Sequence, residues 1–485
     1  MAFRTWVAVA LTIAAAGCTS RTPEQQLIAD AAQALGGESR IRAARTLLLE
    51  GEGRNFNLGQ DMVPDATSQT FTVAGYRRVF DLASGRARLE QTRTPNFAYF
   101  QGQQAQRQVG GIDGEVAYNI AANGNATRVA GQTAVDRRTD FYHHPITIVR
   151  TALDPAAKLS NLQTAGAERS IDVATSGGQT VTLVIDASGL PTRTVAKSYN
   201  ANLGDVALTT TFAEYQDVGG LKLPARLATK VDDFTTVETR LTKQAVDAEV
   251  GDLAAPAAVA SVAAPAPAAP NVTAEQVAPG VWFLAGQSHH SMLVEFADHL
   301  MLIEAPQSEA RTLAVIAKAR EVKPGKPLTQ LVTTHHHFDH TAGLRAAIAE
   351  GLTVITHEGN KTWVEAMAKR PHTRQPDALA KGGKAVTVET VGAERVLKDA
   401  TMEVALYHVA GSPHSDTMLM AYIPKARALV EVDVFSPGAA VHPYAANLLE
   451  NVTKRKLRVD RIVPLHGAIV PFAELTKTQT AAKTN

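Results

Sequence analysis

The stretch Thr334-His335-His336-His337-Phe338-Asp339-His340 stands between an apolar, strand-like run (LVTT, ending at Thr334) and a helix-like run (TAGLRAAIAEG) that follows at once. On an extended backbone, residues two apart face the same side, so His335, His337 and Asp339 are expected to converge while His336 and Phe338 turn away. His340 then sits at the turn into the helix. Three usable imidazoles and a carboxylate between residues 335 and 340 are costly to gather in a fold unless a cation orders and neutralises them. The pattern therefore points to a metal, held where a strand gives way to a helix.

Working outward, the same alternation repeats. WFLAG, HSMLVEFADHLMLIEAP, TQLVTT, LTVITH, MEVALYHV, MLMAYIP, ALVEVDVF and RIVPLHG are strand-like, while SEARTLAVIAKAREV, NKTWVEAMAKR and PYAANLLENVTKRKL are helix-like. An α/β unit over residues 272–478 follows. Upstream lies GDLAAPAAVASVAAPAPAAP, an Ala/Pro-rich linker assigned to 251–271, whose composition leaves little to pack. Of the 15 histidines, 13 follow it, so histidine chemistry belongs to the second unit. The first unit, 25–250, opens with helical turns broken at Gly36-Gly37 and then changes to period two, with strands separated by Gly, Pro, Asn and Asp. Its fold class is α+β, an antiparallel sheet with a helix. His143 and His144 lack a nearby carboxylate or third ligand and are expected to be a surface or hydrogen-bonded pair.

The central stretch matches HxHxDH, and the second unit in that respect resembles the metallo-β-lactamase superfamily. The resemblance can be followed in order along the chain. His335, His337 and His414 (in GSPHSDT) are implied around one metal, and Asp339, His340 and His466 (in VPLHG) around a second. Asp433, at the end of ALVEVDVF, is implied as the bridge. It further implies a four-layer αβ/βα sandwich and an enzyme that hydrolyses a lactone, ester, thioester or β-lactam with a hydroxide held between two Zn2+ ions. Asp339 is the expected catalytic carboxylate, orienting the nucleophile and passing a proton to the leaving group. His337, where the di-iron members carry Glu, favours zinc, and the absence of cysteine near Asp433 excludes the thiolate-ligated lactamase subclass. His289 and His290, in a loop bordering the site, and Tyr444, close after Asp433, are candidate substrate contacts. His299, His357, His372 and His408 are expected to be structural or solvent-facing.

The segments DASGLPTR and FAEYQDVGGLKLPARL make the first unit similar to the outer-membrane lipoprotein carrier fold. That likeness supports an alternative from another class, a lipid- or acyl-binding envelope protein with an accessory metal domain. A combined version has the first unit feed hydrophobic substrates to the metals. Under it, deleting 25–250 abolishes turnover of long-chain substrates and spares small chromogenic esters.

Residues 1–17 carry one basic residue, Arg4, then an apolar run too short to span a bilayer as a helix, and read as a secretory signal. Ala15-Ala16-Gly17-Cys18 resembles a bacterial lipobox, with Ala15 where Leu is preferred. This implies lipidation of Cys18, a membrane anchor and an outer-membrane lipoprotein facing the periplasm. Cys18 is the only cysteine, so no intramolecular disulfide can form. Lys+Arg at 48 against Asp+Glu at 47 gives no electrostatic footprint for nucleic acid, and a small-molecule substrate is expected instead.

Overall fold

A computed structural model describes residues 21–100 and 102–482. The signal segment 1–17 and Cys18 lie outside the described residues.

In the first unit, six strands from Thr46–Phe56 to Ala126–Val129 form one antiparallel meander, and seven from Leu159–Ala165 to Phe234–Val246 form another. The two join where Phe234–Val246 pairs antiparallel with Thr46–Phe56, giving a thirteen-stranded sheet. The segments DASGLPTR and FAEYQDVGGLKLPARL fall on neighbouring strands. Pro191–Asn200 pairs with Gly204–Val218, which turns at Gly219-Gly220 to pair with Leu221–Val231. One face of the sheet is covered by helices Pro23–Ala34 and Pro145–Ala152. Leu27, Ile28, Ile146, Ile148 and Val149 form a single core with Leu47, Phe80, Ile171 and Leu183.

Local chemistry sets the first helix. Thr22 and Gln25 form a reciprocal capping box, and Pro23 opens the first turn. The helix stops at Gly36, whose φ of +119° suits glycine and whose Cα lies against the backbone of Gly220, where a Cβ would meet the carbonyl oxygen at 2.3 Å. Helix Pro145–Ala152 buries six of its eight residues, Pro145 to Val149 and Ala152, and leaves Arg150 and Thr151 partly exposed. His143 and His144 are not at the surface. His143 Nδ1 lies 3.0 Å from Thr210 Oγ1 and 3.1 Å from Thr194 Oγ1, while His144 Nδ1 accepts the Ile146 N–H and caps the helix.

The linker is only half a linker. Leu253, Ala255 and Val259 are buried, Ala255 N–H donates to Asp113 Oδ2 (3.0 Å), and Ala257–Ala260 forms a helical turn against the first sheet. From Ser261 to Ala269 the chain is exposed. A composition of small residues and proline underestimated what a few apolar side chains spaced along it can anchor.

The second unit contains a seven-stranded sheet, with its last three pairings parallel, and a six-stranded sheet. Met292, Val294, Met301, Val332 and Ile355 of the first meet Val404, Leu406, Leu419, Val430 and Val463 of the second in one shared core. Helices Glu309–Val322, Leu344–Ala349 and Lys361–Lys369 bury Val315, Ile316, Leu344, Trp363 and Met367 against Leu302, Leu331 and Val354 on the far side of the first sheet. Helix Ala445–Lys454 buries Leu448 and Val452 against Met420, Leu429 and Ile462 of the other. No helix among the described residues is long and apolar enough to cross a membrane.

The two units touch. Asp205 of the first accepts the Thr373 and Arg374 N–H groups (2.9 and 3.0 Å), Asn202 Nδ2 donates to Thr341 Oγ1 (2.7 Å), and Arg370 pairs with Asp232.

Candidate metal centre

Strand Leu328–Val332 ends just short of the histidine-rich stretch, and the backbone stays open through His337, whose φ of −57° and ψ of 144° place it as the cap of a one-turn helix, Phe338–Thr341. Alternation therefore operates for His335 and His337 but not for Asp339. The helical turn places Asp339 in a second donor group with His340, whose ring stays 4.7 Å from that of His335. His336 turns aside, with Nδ1 3.2 Å from Thr417 Oγ1 and its ring beside Trp363. Phe338 also leaves the site, stacking on Trp363.

Two groups of donor atoms result, each with its atoms within 4.8 Å of one another: His335, His337, His414 and Asp433 in one, and His289, Asp339, His340 and His466 in the other. Asp433 lies between them. Its Oδ2 is 3.5, 3.3 and 2.9 Å from the Nε2 atoms of His335, His414 and His340, and its Oδ1 is 3.0 Å from His466 Nε2. The backbone at Asp433 has a φ of +58°, a left-handed conformation that a non-glycine residue adopts only when its surroundings require it. Glu431, fully buried two residues earlier, accepts the Val434 and Phe435 N–H groups and shapes that turn.

Three of the imidazoles, His340, His466 and His337, have a partner that holds one nitrogen's proton. His340 Nδ1 donates to Glu304 Oε2 (2.9 Å), and the other oxygen of Glu304 accepts the Thr334 N–H (2.7 Å). His466 Nδ1 donates to the Ser288 carbonyl (3.1 Å), and His337 Nε2 to the Asp61 carbonyl (2.9 Å). What remains is informative. His335 Nε2, His337 Nδ1 and His414 Nε2 are buried without a hydrogen-bond partner, and His340 Nε2 faces His466 Nε2 at 3.2 Å. Unpartnered lone pairs buried together are costly, and a divalent cation is the group that satisfies them. The donor set, imidazole and carboxylate with no thiolate, fits zinc.

The electrostatics agree. Burial pushes His335 down to about 4 and His337 well below the usual imidazole range, so both are neutral donors. Burial pushes Asp433 up, but the neighbouring His340 and His466 outweigh it and hold the carboxylate ionised. Asp339 is likewise held well below the ordinary carboxylate range against its burial, chiefly by His340 and His289. Against its burial, Asp433 and Asp339 raise His340 well above its ordinary value, so its Nε2 carries a proton that a cation would have to displace.

The remaining candidates separate. His289 belongs to the second donor group, Nε2 lying 3.3 Å from Asp339 Oδ2, and its loop is fixed by buried Arg311, which donates to the Gly286 and His289 carbonyls (both 3.1 Å). His290 points elsewhere. Its Nδ1 accepts the Gly286 N–H, its ring packs on Phe283, and it belongs to neither donor group. Tyr444 packs its ring edge-on to His414 and donates its hydroxyl to the Ala98 carbonyl of the first unit, so the donor offered to a substrate is already engaged. His299, His357, His372 and His408 stand outside both groups. Sequence reasoning missed Glu304, Glu431, Gln60 and Asp61. Only Glu304, an acid closing the apolar run LMLIE, left a local sign.

With this geometry in view, the chain can be set beside known proteins. The Metallo-beta-lactamase superfamily profile matches residues 285–430. Similar solved structures include the DIM-1 metallo-beta-lactamase, 19% identical over 44% of this chain and 98% of that one, with a TM-score of 0.33. The metallo-beta-lactamase from Pontibacter korlensis is 16% identical over 44% of this chain and 100% of its own, with a TM-score of 0.34. The Flv1 flavodiiron core from Synechocystis sp. PCC6803 is 16% identical over 44% and 61%, with a TM-score of 0.35. Residues 285–430 are a metallo-beta-lactamase superfamily domain, and the ring of donor residues runs past its end to Asp433 and His466.

Proposed function

We propose that this protein is an exported zinc-dependent hydrolase acting on an ester-like bond of a small molecule: a lactone, ester, thioester or β-lactam. His335, His337 and His414 would hold one zinc, Asp339, His340 and His466 the other, with Asp433 shared, inside a four-layer αβ/βα sandwich spanning 272–478. The observation that carries the reading is the set of orphaned, buried imidazole nitrogens converging beside Asp433. Two zinc ions supply, when bound, a nucleophile available at neutral pH and a Lewis acid for the carbonyl.

The chain's own residues do the rest. Asp339, its side chain 39% exposed, is the most solvent-accessible carboxylate of the centre and is placed to orient the nucleophile and relay its proton to the leaving group. His289, 3.3 Å away, orients that carboxylate. Glu304 holds the His340 Nδ1 proton, so that Nε2 is the nitrogen a cation would take by displacing its proton. The signal at 1–17 and lipidation of Cys18 would tether the protein to the outer membrane, facing the periplasm, with no nucleic-acid partner.

A second reading, a lipid- or acyl-binding envelope protein of the carrier-like fold, is favoured by one observation. The first unit has a cavity of about 650 Å³ with apolar walls from Leu89, Val109, Ile112 and Phe141 and with Arg78, Arg88 and Arg137 at its lining. The test is metal content and turnover of the chain from residue 19, beside His337→Ala, on lactone, thioester, β-lactam and phosphodiester substrates. Two zinc per chain and one substrate class hydrolysed by wild type only is the expected result. A wild type that holds no zinc and turns over nothing would move the weight to the second reading.

A further inference from the structure

The connection between strands Thr46–Phe56 and Thr70–Asp81 of the first unit crosses to the second and runs along the metal centre. Each residue from Gly59 to Met62 makes a contact there. Gly59 O accepts the Phe338 N–H (3.1 Å), Gln60 Nε2 donates to Asp339 Oδ1 (2.8 Å), and Asp61 O accepts His337 Nε2–H (2.9 Å). Met62 O accepts the Asp416 N–H (2.8 Å). The approach is tight enough to dictate sequence. Gly59, at φ +79°, lies on the Phe338 ring, and a Cβ there would be 2.2 Å from Phe338 Cγ.

We propose that this loop is a structural part of the metal centre, with Gln60 a positioning residue for Asp339 and the Asp61 carbonyl a positioning group for His337. The proposal deepens the hydrolase reading and rests on it. A carbonyl only accepts, so it holds the His337 proton on Nε2 and leaves Nδ1 as the lone pair. Nδ1 is the buried atom without a partner. A carboxylate also only accepts, so the Gln60 amide nitrogen must face it. With Oδ1 so occupied, Oδ2 is turned toward His289 (3.3 Å) and His340 (3.6 Å). One loop therefore reaches both halves of the centre, setting a tautomer in the first and a carboxylate rotamer in the second. It also revises the truncation expected from sequence. Deleting 25–250 takes Gln60 and Asp61 with it and costs small esters as well as long-chain ones.

The experiment is cobalt(II) titration of the metal-free chain from residue 19, followed by its visible absorption and by competition with a chelator, for wild type, Gln60→Ala and Gly59→Val. Losing an outer partner of a metal ligand weakens metal binding by about 10- to 100-fold. Gln60→Ala is thus expected to weaken the second cobalt alone by that factor and to change its absorption band, leaving the first as in wild type. Gly59→Val, which lifts the loop off Phe338, is expected to weaken both. Should wild type bind two cobalt ions and Gln60→Ala match it in affinity and spectrum, the loop proposal falls and the hydrolase reading stands. Should wild type bind none, both fall together.

Discussion

The two halves of the metal centre are built on opposite plans. In the first, His335, His337 and His414 are at most 9% exposed, and each keeps a buried nitrogen without a hydrogen bond, with Asp433 Oδ2 3.5 and 3.3 Å from two of them. In the second, Asp339 and His466 reach solvent, with side chains 39% and 22% exposed, and the donors already contact one another: His289 with Asp339 at 3.3 Å and His340 with His466 at 3.2 Å. A closed set of buried imidazoles around one carboxylate is preorganised for an ion. An open, mutually bonded set gives up interactions to take one. The first position should therefore hold zinc tightly and the second exchange it, with hydrolysis limited by occupancy of the second.

Asp433 is the one group common to both halves, so changing it tests the comparison most severely. Asp433→Asn keeps the shape and removes the charge. Its expected outcome is a fall from two zinc per chain to about one, with kcat/KM reduced on the order of 100- to 1,000-fold, the scale of losing one preorganised electrostatic contact. Metal analysis and steady-state kinetics on the same preparation check this. Two tightly held zinc ions in the variant would show that the halves do not depend on a shared carboxylate.

A second pair of adjacent buried histidines sharpens the contrast from outside the centre. His143 and His144 are pushed down to about 4 and about 3, in both cases mainly by burial, yet their hydrogen bonds are to Thr194, Thr210 and the Ile146 N–H, not to a metal. They are neutral in the folded chain and titrate near 6.5 when unfolded. As pH falls below about 6.5, the unfolded chain takes up the protons and the folded one does not, so stability is full above that value and declines toward the folded values. Between pH 7 and pH 5 the loss is about 2 kcal/mol per histidine. Urea unfolding of the first unit should show it with or without zinc, and His144→Asn should remove about 2 kcal/mol of it. An unchanged pH dependence in that variant would mean His144 is already charged in the fold.

These cases also show what a sequence can carry. Of the donor residues, His335, His337 and His340 could be proposed from local structure, alternation for the first two and a strand–helix turn for the third, whereas His414, Asp433 and His466 were implied only by the family resemblance. The one local inference that failed, Asp339 converging with His335, failed because the helix begins at Phe338, a residue earlier than alternation allows. Contacts between units were illegible. Gln60 and Asp61 lie more than 270 positions from Asp339 and His337, and no pattern along the chain links a loop of one sheet to ligands of another. Helix Pro145–Ala152, at eight residues, is too short for a helical period to stand out along the chain.

The smallest expected effect concerns Tyr444, which reading along the chain placed near substrate and the fold places between units. Burial, then the Asp433 charge, raises its hydroxyl to about 12, so it stays protonated and donates to Ala98, while the ring fills the space between His414 and Phe100. Tyr444→Phe keeps the ring and removes one hydrogen bond, so the chain should lose about 1 kcal/mol of stability. Thermal unfolding measures that loss, and kcat/KM should stay within about twofold, because no interaction made only in the transition state is removed. A fall of about 100-fold with unchanged stability would instead put the hydroxyl on the substrate carbonyl. The loop carrying Ala98 would then have to move away when substrate binds, and the first unit would gate the centre as well as brace it.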